Sequence, residues 1–472
     1  MTRRVRSALL ATLLLAGCTT VGPDYHRPDA AVVARPSATG SFVGANEAAF
    51  DPGPVPDHWW KLYDDPRLDA LIEDGMRNNT DLRVAAANIA RARAGLDRAN
   101  DGRHVQTDVQ TSLGAARPSP EGELMPNANF PPFLLYSGGV SVSYQLDLFG
   151  QVRRAVEAAG ADLAATRAAQ DNVRVTVAAD IVSAYVEACA AGEDLEVAER
   201  ALAVQQREAA LTARMIRAGR GITTELTRSR AQESQVKATI PGMIAARQVA
   251  LYRLATLTGH PPAAFDRSVA TCRDVPRVMR PIPVGDGAAL LRRRPDVRGA
   301  EWALRAATAR IGVATANLYP QVNLGGAVGS TGLDSHALAG DTLKFSLGPL
   351  ISWQFPNRTR VRASIADAQA QADAAYARFD GTVLTALREV ESALSVYARD
   401  LDAHAALTEA QRQTARAARD ADMLYRRGRT GFLPRLDAQR AMVTADRAVA
   451  QSKARLAADQ VRLFLALGGG WQ

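Results

Sequence analysis

The chain has 472 residues, 47% of them apolar and 22% charged, and carries a formal net charge of +8. That length can bury a large core, yet after the first 20 positions no unbroken apolar run reaches the roughly 18 residues of a spanning helix. The arginines are scattered among Asp, Glu and Gln without interleaved aromatics, so a single-strand nucleic-acid binder is not expected. Neither the six dispersed histidines nor the three cysteines show metal-ligand spacing. No nucleophile motif or phosphate loop stands out, and neither an enzyme nor a bound cofactor is expected.

Taken in chain order, Arg3, Arg4 and Arg6 precede an apolar stretch from Ala8 to Ala16, which predicts a secretory signal over residues 1–17. Leu15-Ala16-Gly17-Cys18 resembles a bacterial lipobox, which implies cleavage ahead of Cys18 and acylation of that residue. Two or more acyl chains anchor stably where one does not, and Thr19 in place of an Asp favours the outer membrane. Losing the three arginines of the signal takes the charge from +8 to +5. Residues 18–65 are rich in Pro, Gly and Ala and predict an extended, lipidated tether. Helical patterning starts after Asp65-Pro66 and runs to about Arg98.

Four segments then alternate apolar and polar residues with the period of a strand. Val105, Val109 and Leu113 interleave with polar neighbours over about 105–116, and Val140, Val142, Tyr144, Leu146 and Leu148 do so over about 138–148. Val322, Leu324 and Val328 belong to a third strand over about 321–332; Leu343, Phe345, Leu347, Ile351 and Trp353 belong to a fourth over about 343–354. Each approaches the roughly 9–11 residues of a tilted transmembrane strand. The Pro-rich stretch from Arg117 to Ser137 suits an exterior loop.

Each strand pair leads into very long helices, predicted over about 150–218 and 223–258, then about 360–427 and 433–467. Pro241 is a candidate break or kink in the second of these. Val383, Leu387, Val390, Leu394, Tyr397 and Leu401 step alternately by four and three, the seam of a coiled coil. A tract of about 65 residues is roughly 100 Å long at 1.5 Å per residue, which a compact domain has no use for. Cys189 falls in a helical tract and Cys272 in a Pro-rich linker, 261–286; in an oxidising compartment they either pair or stay as buried thiols.

The two halves register on each other. Tyr144-Gln145 aligns with Trp353-Gln354, Ala155 with Ala363, and Ala218-Gly219-Arg220 with Arg427-Gly428-Arg429, all at an offset of 208 or 209. An internal two-fold repeat, 66–260 and 287–472, is therefore expected. Four strands per chain cannot close a barrel, and an open edge in lipid leaves unpaired backbone groups. The chain must then oligomerise, and three copies give twelve strands with a lumen where two give only a filled interior.

Joined in order, the lipobox, Val21-Gly22-Pro23-Asp24-Tyr25, Trp59-Trp60-Lys61-Leu62-Tyr63, Arg292-Arg293-Arg294-Pro295-Asp296-Val297-Arg298, Leu436-Asp437-Ala438-Gln439-Arg440 and Ala466-Leu467-Gly468-Gly469-Gly470-Trp471 resemble the outer-membrane efflux lipoproteins of the TolC/OprM/NodT type. The resemblance implies a mostly α chain with a membrane β-barrel: a homotrimer whose twelve-stranded barrel continues as an α-helical coiled-coil tunnel across the periplasm. It implies an exit channel for small molecules, joined through a periplasmic adaptor protein to a proton-driven inner-membrane pump.

It also implies a periplasmic gate at the helix turns around Gly219 and Gly428, with Glu225, Asp437 and Tyr425 at the matching positions. Pro434 replaces a second acid, and the arginine expected near the tyrosine falls on Thr430, with Arg429 beside it. Acids in a first helical turn also offset its dipole without any gating role. The alternatives are a duct of the same fold for metal ions or secreted proteins, and a trimeric structural envelope lipoprotein that does not conduct.

Overall fold

The computed structural model describes residues 20–219, 221–333, 339–355 and 358–469. Cys18 with the signal segment, Arg220 of the first turn and Trp471 lie outside the described residues. The helices are α1 (Pro36–Thr39), α2 (Pro66–Asn78), α3 (Thr80–Asp101), α4 (Gln151–Arg217), α5 (Thr223–Leu257), α6 (Gly287–Arg293), α7 (Pro295–Ala316), α8 (Arg358–Arg426) and α9 (Phe432–Ala466). The strands are β1 (Phe50–Asp51), β2 (Gln106–Ala116), β3 (Phe133–Leu146), β4 (Ile282–Pro283), β5 (Gln321–Leu333) and β6 (Leu343–Ser352). Helix α5 runs continuously through Pro241. Strand β3 begins five residues earlier than the alternation suggested, because Phe133 to Ser137 pair with Ala116 to Ser112 across the hairpin.

The chain divides into two compact units. Among the described residues the first comprises 20–28, 88–167 and 299–379, and holds one antiparallel sheet of order β2-β3-β5-β6. Neither β2 nor β6 has a partner on its outer edge among the described residues. Strand β3 passes into α4 through Gly150, in the left-handed region at φ +79°. Asp147 starts the helix by accepting the Val152 and Arg153 N–H groups at 2.9 and 3.0 Å.

Residues 20–28 are folded onto this unit rather than extended from it. The Val21 N–H donates to the Phe149 carbonyl at 3.1 Å. Arg154, 4% exposed, donates to the Val21 and Gly22 carbonyls and pairs with Asp24 at 2.7 Å. Gly22, at φ +87°, crosses α7 so closely that a Cβ would lie 2.4 Å from the Gly312 Cα.

The second unit comprises 29–87, 168–298 and 380–469. Here too the expected tether is packed: Phe42, Phe50, Trp59, Trp60 and Tyr63 are buried, with Trp59 stacked on Phe464 at 4.7 Å. Pro- and Gly-rich composition removes regular hydrogen bonding, but its aromatics still bury apolar area worth about 25 cal/mol per Å2. β1 pairs in parallel with β4, so the linker and the former tether run side by side. The heptad seam is inside, with Val383, Val390 and Leu394 fully buried and Tyr397 nearly so.

The open alternative for the cysteines is closed: Cys189 and Cys272 form a disulfide. Gly192, one turn along α4, is where the linker crosses; a Cβ there would sit 2.1 Å from the Cys272 carbonyl oxygen. The linker is held again at Val278, which exchanges hydrogen bonds with the Gln460 amide at 3.0 and 2.8 Å. Arg293 and Arg294 fasten the chain ends. Arg293 donates to the Val55, Pro56 and Gly468 carbonyls, and Arg294 to the Ala466 carbonyl while pairing with Asp296 and Glu389. One stretch of α4 does meet the length and composition of a spanning helix, against expectation, but 67% of it is buried in the fold, as in a core helix.

Candidate functional site

In an antiparallel sheet, residues directly opposite share a face, so the register sorts the side chains. Val109, Val140, Val328 and Phe345 lie in one row across all four strands, and Thr107, Val142, Gly326 and Leu347 in another on the same face. Phe345 and Leu347 are 87% and 88% exposed, a degree of apolar exposure that water penalises and hydrocarbon does not. The other face is polar: Asp108, Ser141, Ala327 and Ser346 form one row, and Gln110, Gly139, Gly329 and Lys344 the next. Period-two patterning is thus a division between a greasy and a wet surface.

The polar face is pinched at its middle. A Cβ on Gly329 would lie 2.6 Å from the Gly138 carbonyl oxygen, and one on Gly139 would lie 3.1 Å from that of Val328. Facing glycines on one side let the sheet curl toward that side. At the end where strands meet helices, Phe149 stacks on Tyr319 at 4.4 Å and Trp353 on Phe355 at 4.8 Å. The Trp353 indole N–H donates to the Leu318 carbonyl at 3.1 Å. Amphipathic aromatics of this kind sit at membrane–water interfaces.

In the second unit, α4 and α8 end in the same turn. Gly219 and Gly428 adopt φ +71° and +69°, and each donates its N–H to the carbonyl three residues back, Ile216 and Tyr425, at 2.9 Å. Beside the second turn lies a charged cluster that the sequence reading missed. Arg435 is 4% exposed; it pairs with Glu208 at 2.6 Å and Asp422 at 2.8 Å, and its guanidinium stacks 4.8 Å from the Tyr425 ring centre. The arginine next to the tyrosine therefore comes from position 435, not from Thr430 or Arg429. The signal was present, because Phe432, Arg435 and Leu436 share one helix face and a charge on a buried stripe demands counter-charges.

Tyr425 itself donates to the Met215 sulfur at 3.4 Å and packs edge-on against Phe432. Burial raises its phenol above the ordinary tyrosine value; Arg435 opposes this, while Glu225 and Glu208 reinforce it. Glu225, in the first turn of α5, therefore lies within electrostatic reach of Tyr425. Asp437 stands apart: it is exposed, and Arg440 lies 3.8 Å away, itself bonded to Gln232 at 2.9 Å. Of the three gate candidates, Tyr425 packs against Arg435, Glu225 acts on Tyr425 through its charge, and Asp437 stands apart.

Comparison with known proteins bears on these features together. The outer membrane efflux protein family matches residues 71–260 and 288–469. The toluene efflux pump outer membrane protein TtgC of Pseudomonas putida is 29% identical over an alignment of 483 residues, covering 100% of this chain and 96% of its own. Nodulation protein T of Rhizobium leguminosarum bv. viciae is 28% identical over 465 residues, covering 98% and 93%. Among solved structures, the outer-membrane channel OprN superposes with a TM-score of 0.86 at 34% identity, covering 96% of this chain and 99% of its own. The chain belongs to the outer membrane efflux protein family and is an outer-membrane exit channel that extends into the periplasm.

Proposed function

We propose that three copies of this chain close a twelve-stranded barrel, continued by their helices as a tunnel, through which small toxic molecules pass passively from periplasm to exterior. The observation that carries this is the four-stranded sheet with two edges unpaired among the described residues, one apolar face and one polar face. Unpaired edge groups cost several kcal/mol each in hydrocarbon, and only closure by further copies removes them. The energy for transport comes from a proton-driven inner-membrane pump, reached through a periplasmic adaptor. Acylation of Cys18 anchors each copy to the membrane. The resemblance to TtgC, named as part of a toluene efflux pump, favours small apolar cargo. No reaction is catalysed.

Native mass spectrometry of the protein extracted in mild detergent tests the assembly: three acylated copies are expected, and a monomer would end the shared-barrel reading. The gate is assigned to Tyr425, Glu225 and Asp437 with Arg435 as the buried brace. A threefold ring of carboxylates attracts cations. Bilayer recordings of a Glu225→Ala, Asp437→Ala double variant should show higher conductance or altered cation preference; unchanged recordings would remove the two acids from the gate.

A further inference from the structure

The four long strands contain two charged side chains, Asp108 and Lys344. Both lie on the polar face, in adjacent rows, and neither makes a hydrogen bond or ion pair among the described residues. Lys344 faces the pinch: its Cε lies 3.4 Å from where a Gly329 Cβ would be, so the lysine stem runs across the facing glycines. With Asp108, Gln110, Ser141 and Ser346 it bounds a cavity of about 260 Å3. A strand face needs no charge to stay wet, since Ser, Gln and Thr suffice. Two charged side chains beside the tightest bend of the sheet are therefore placed to act on whatever passes over that face.

We propose that Lys344 and Asp108 set the charge preference of the membrane-spanning lumen for the solutes that pass it. This rests on the barrel reading, in which each residue recurs three times around the duct. Lumen walls of low dielectric focus such fixed charges. Lys344 favours anionic groups on the cargo and Asp108 cationic ones, so the balance between them sets which charge passes more easily.

The test places a reporter thiol at Ser346, two residues from Lys344 on the same face. The full-length protein in outer-membrane vesicles is treated with a sulfonate-bearing and a trimethylammonium-bearing methanethiosulfonate of similar size. Cys189 and Cys272 are tied in their disulfide and acylation blocks Cys18, so the parent chain supplies the unlabelled control. In the Ser346→Cys protein, Lys344→Glu should lower the sulfonate-to-ammonium rate ratio about fivefold or more, from the field of a charge about 7 Å away at physiological salt. Lys344→Gln should lower it about half as far on a logarithmic scale, Lys344→Arg should leave it, and Asp108→Asn should raise it. A ratio unchanged within about twofold in both Lys344→Gln and Asp108→Asn overturns the filter. Phe345→Cys, on the opposite face, separates that failure from failure of the barrel reading: if it reacts as fast as Ser346→Cys, the two faces are not divided between lipid and lumen.

Discussion

Arg435 shows how one buried charge organises a turn. Glu208 and Asp422 come from α4 and α8, and the guanidinium between them also covers Tyr425. Removing Arg435 leaves Glu208 without its counter-charge in a poorly solvated site and leaves Asp422 with only the exposed Arg426, 2.8 Å away, at a cost of about 3 kcal/mol. Tyr425→Phe loses a single bond to sulfur, less than about 1 kcal/mol. Arg435→Ala should accordingly speed amide hydrogen exchange across both turns by more than a hundredfold, whereas Tyr425→Phe should change it by less than tenfold. Equal exchange in the two variants would show that the arginine contributes no more to the turns than the single bond of the tyrosine. The sequence alone made Tyr425 visible through a family resemblance and marks Arg435 as a charge on a buried stripe, but its partner Glu208 lies 227 positions away and nothing local names it.

At the scale of elements, legibility followed hydrogen-bond periodicity. All four long helices and all four long strands lie within a few residues of where patterning put them, because a repeat of 3.6 or 2 residues writes itself into the order of apolar positions. The belt formed by residues 29–65 and the linker has no such period, and its packing rests on single contacts such as Gly192 under Cys272. The pairing of α8 with α9 hides a titration of the same non-local kind. Asp459 is 4% exposed; burial and the neighbouring Asp400 carboxyl raise its pKa to about 6, against the pull of Arg462. The folded state thus holds a proton between about pH 4 and 6 that the unfolded chain has released, and stability falls as pH rises through that window. Asp459→Asn mimics the protonated form, so the variant should melt higher than the parent at pH 7.5 and the gap should shrink by pH 5. His404, whose own pKa is lowered by burial and by Arg277 and Lys453, is present in both proteins and largely cancels in the difference. A gap independent of pH would mean that the two carboxyls do not share a proton.

For the whole molecule, the decisive quantity is what each face of the sheet touches. Leu347 and Ser346 are consecutive in β6 and equally placed along the strand, yet the register assigns them to opposite faces. In a closed barrel Leu347 meets acyl chains and Ser346 meets water. Arginine on the lipid side costs about 2–4 kcal/mol at the bilayer midplane, and three copies multiply that cost in one assembly. Arginine on the lumen side keeps its charge solvated, and a twelve-stranded barrel has space for it. Leu347→Arg should therefore sharply reduce the assembled oligomer recovered from outer membranes, scored as the species that resists dissociation in unheated detergent gels, while Ser346→Arg leaves it near the parent level. The contrast is informative because the two variants share the introduced residue, the net charge and the position along the strand to within one residue. Comparable losses would mean that both faces lie in the same surroundings, and an amphipathic sheet in a bilayer would no longer explain why the chain keeps two open edges.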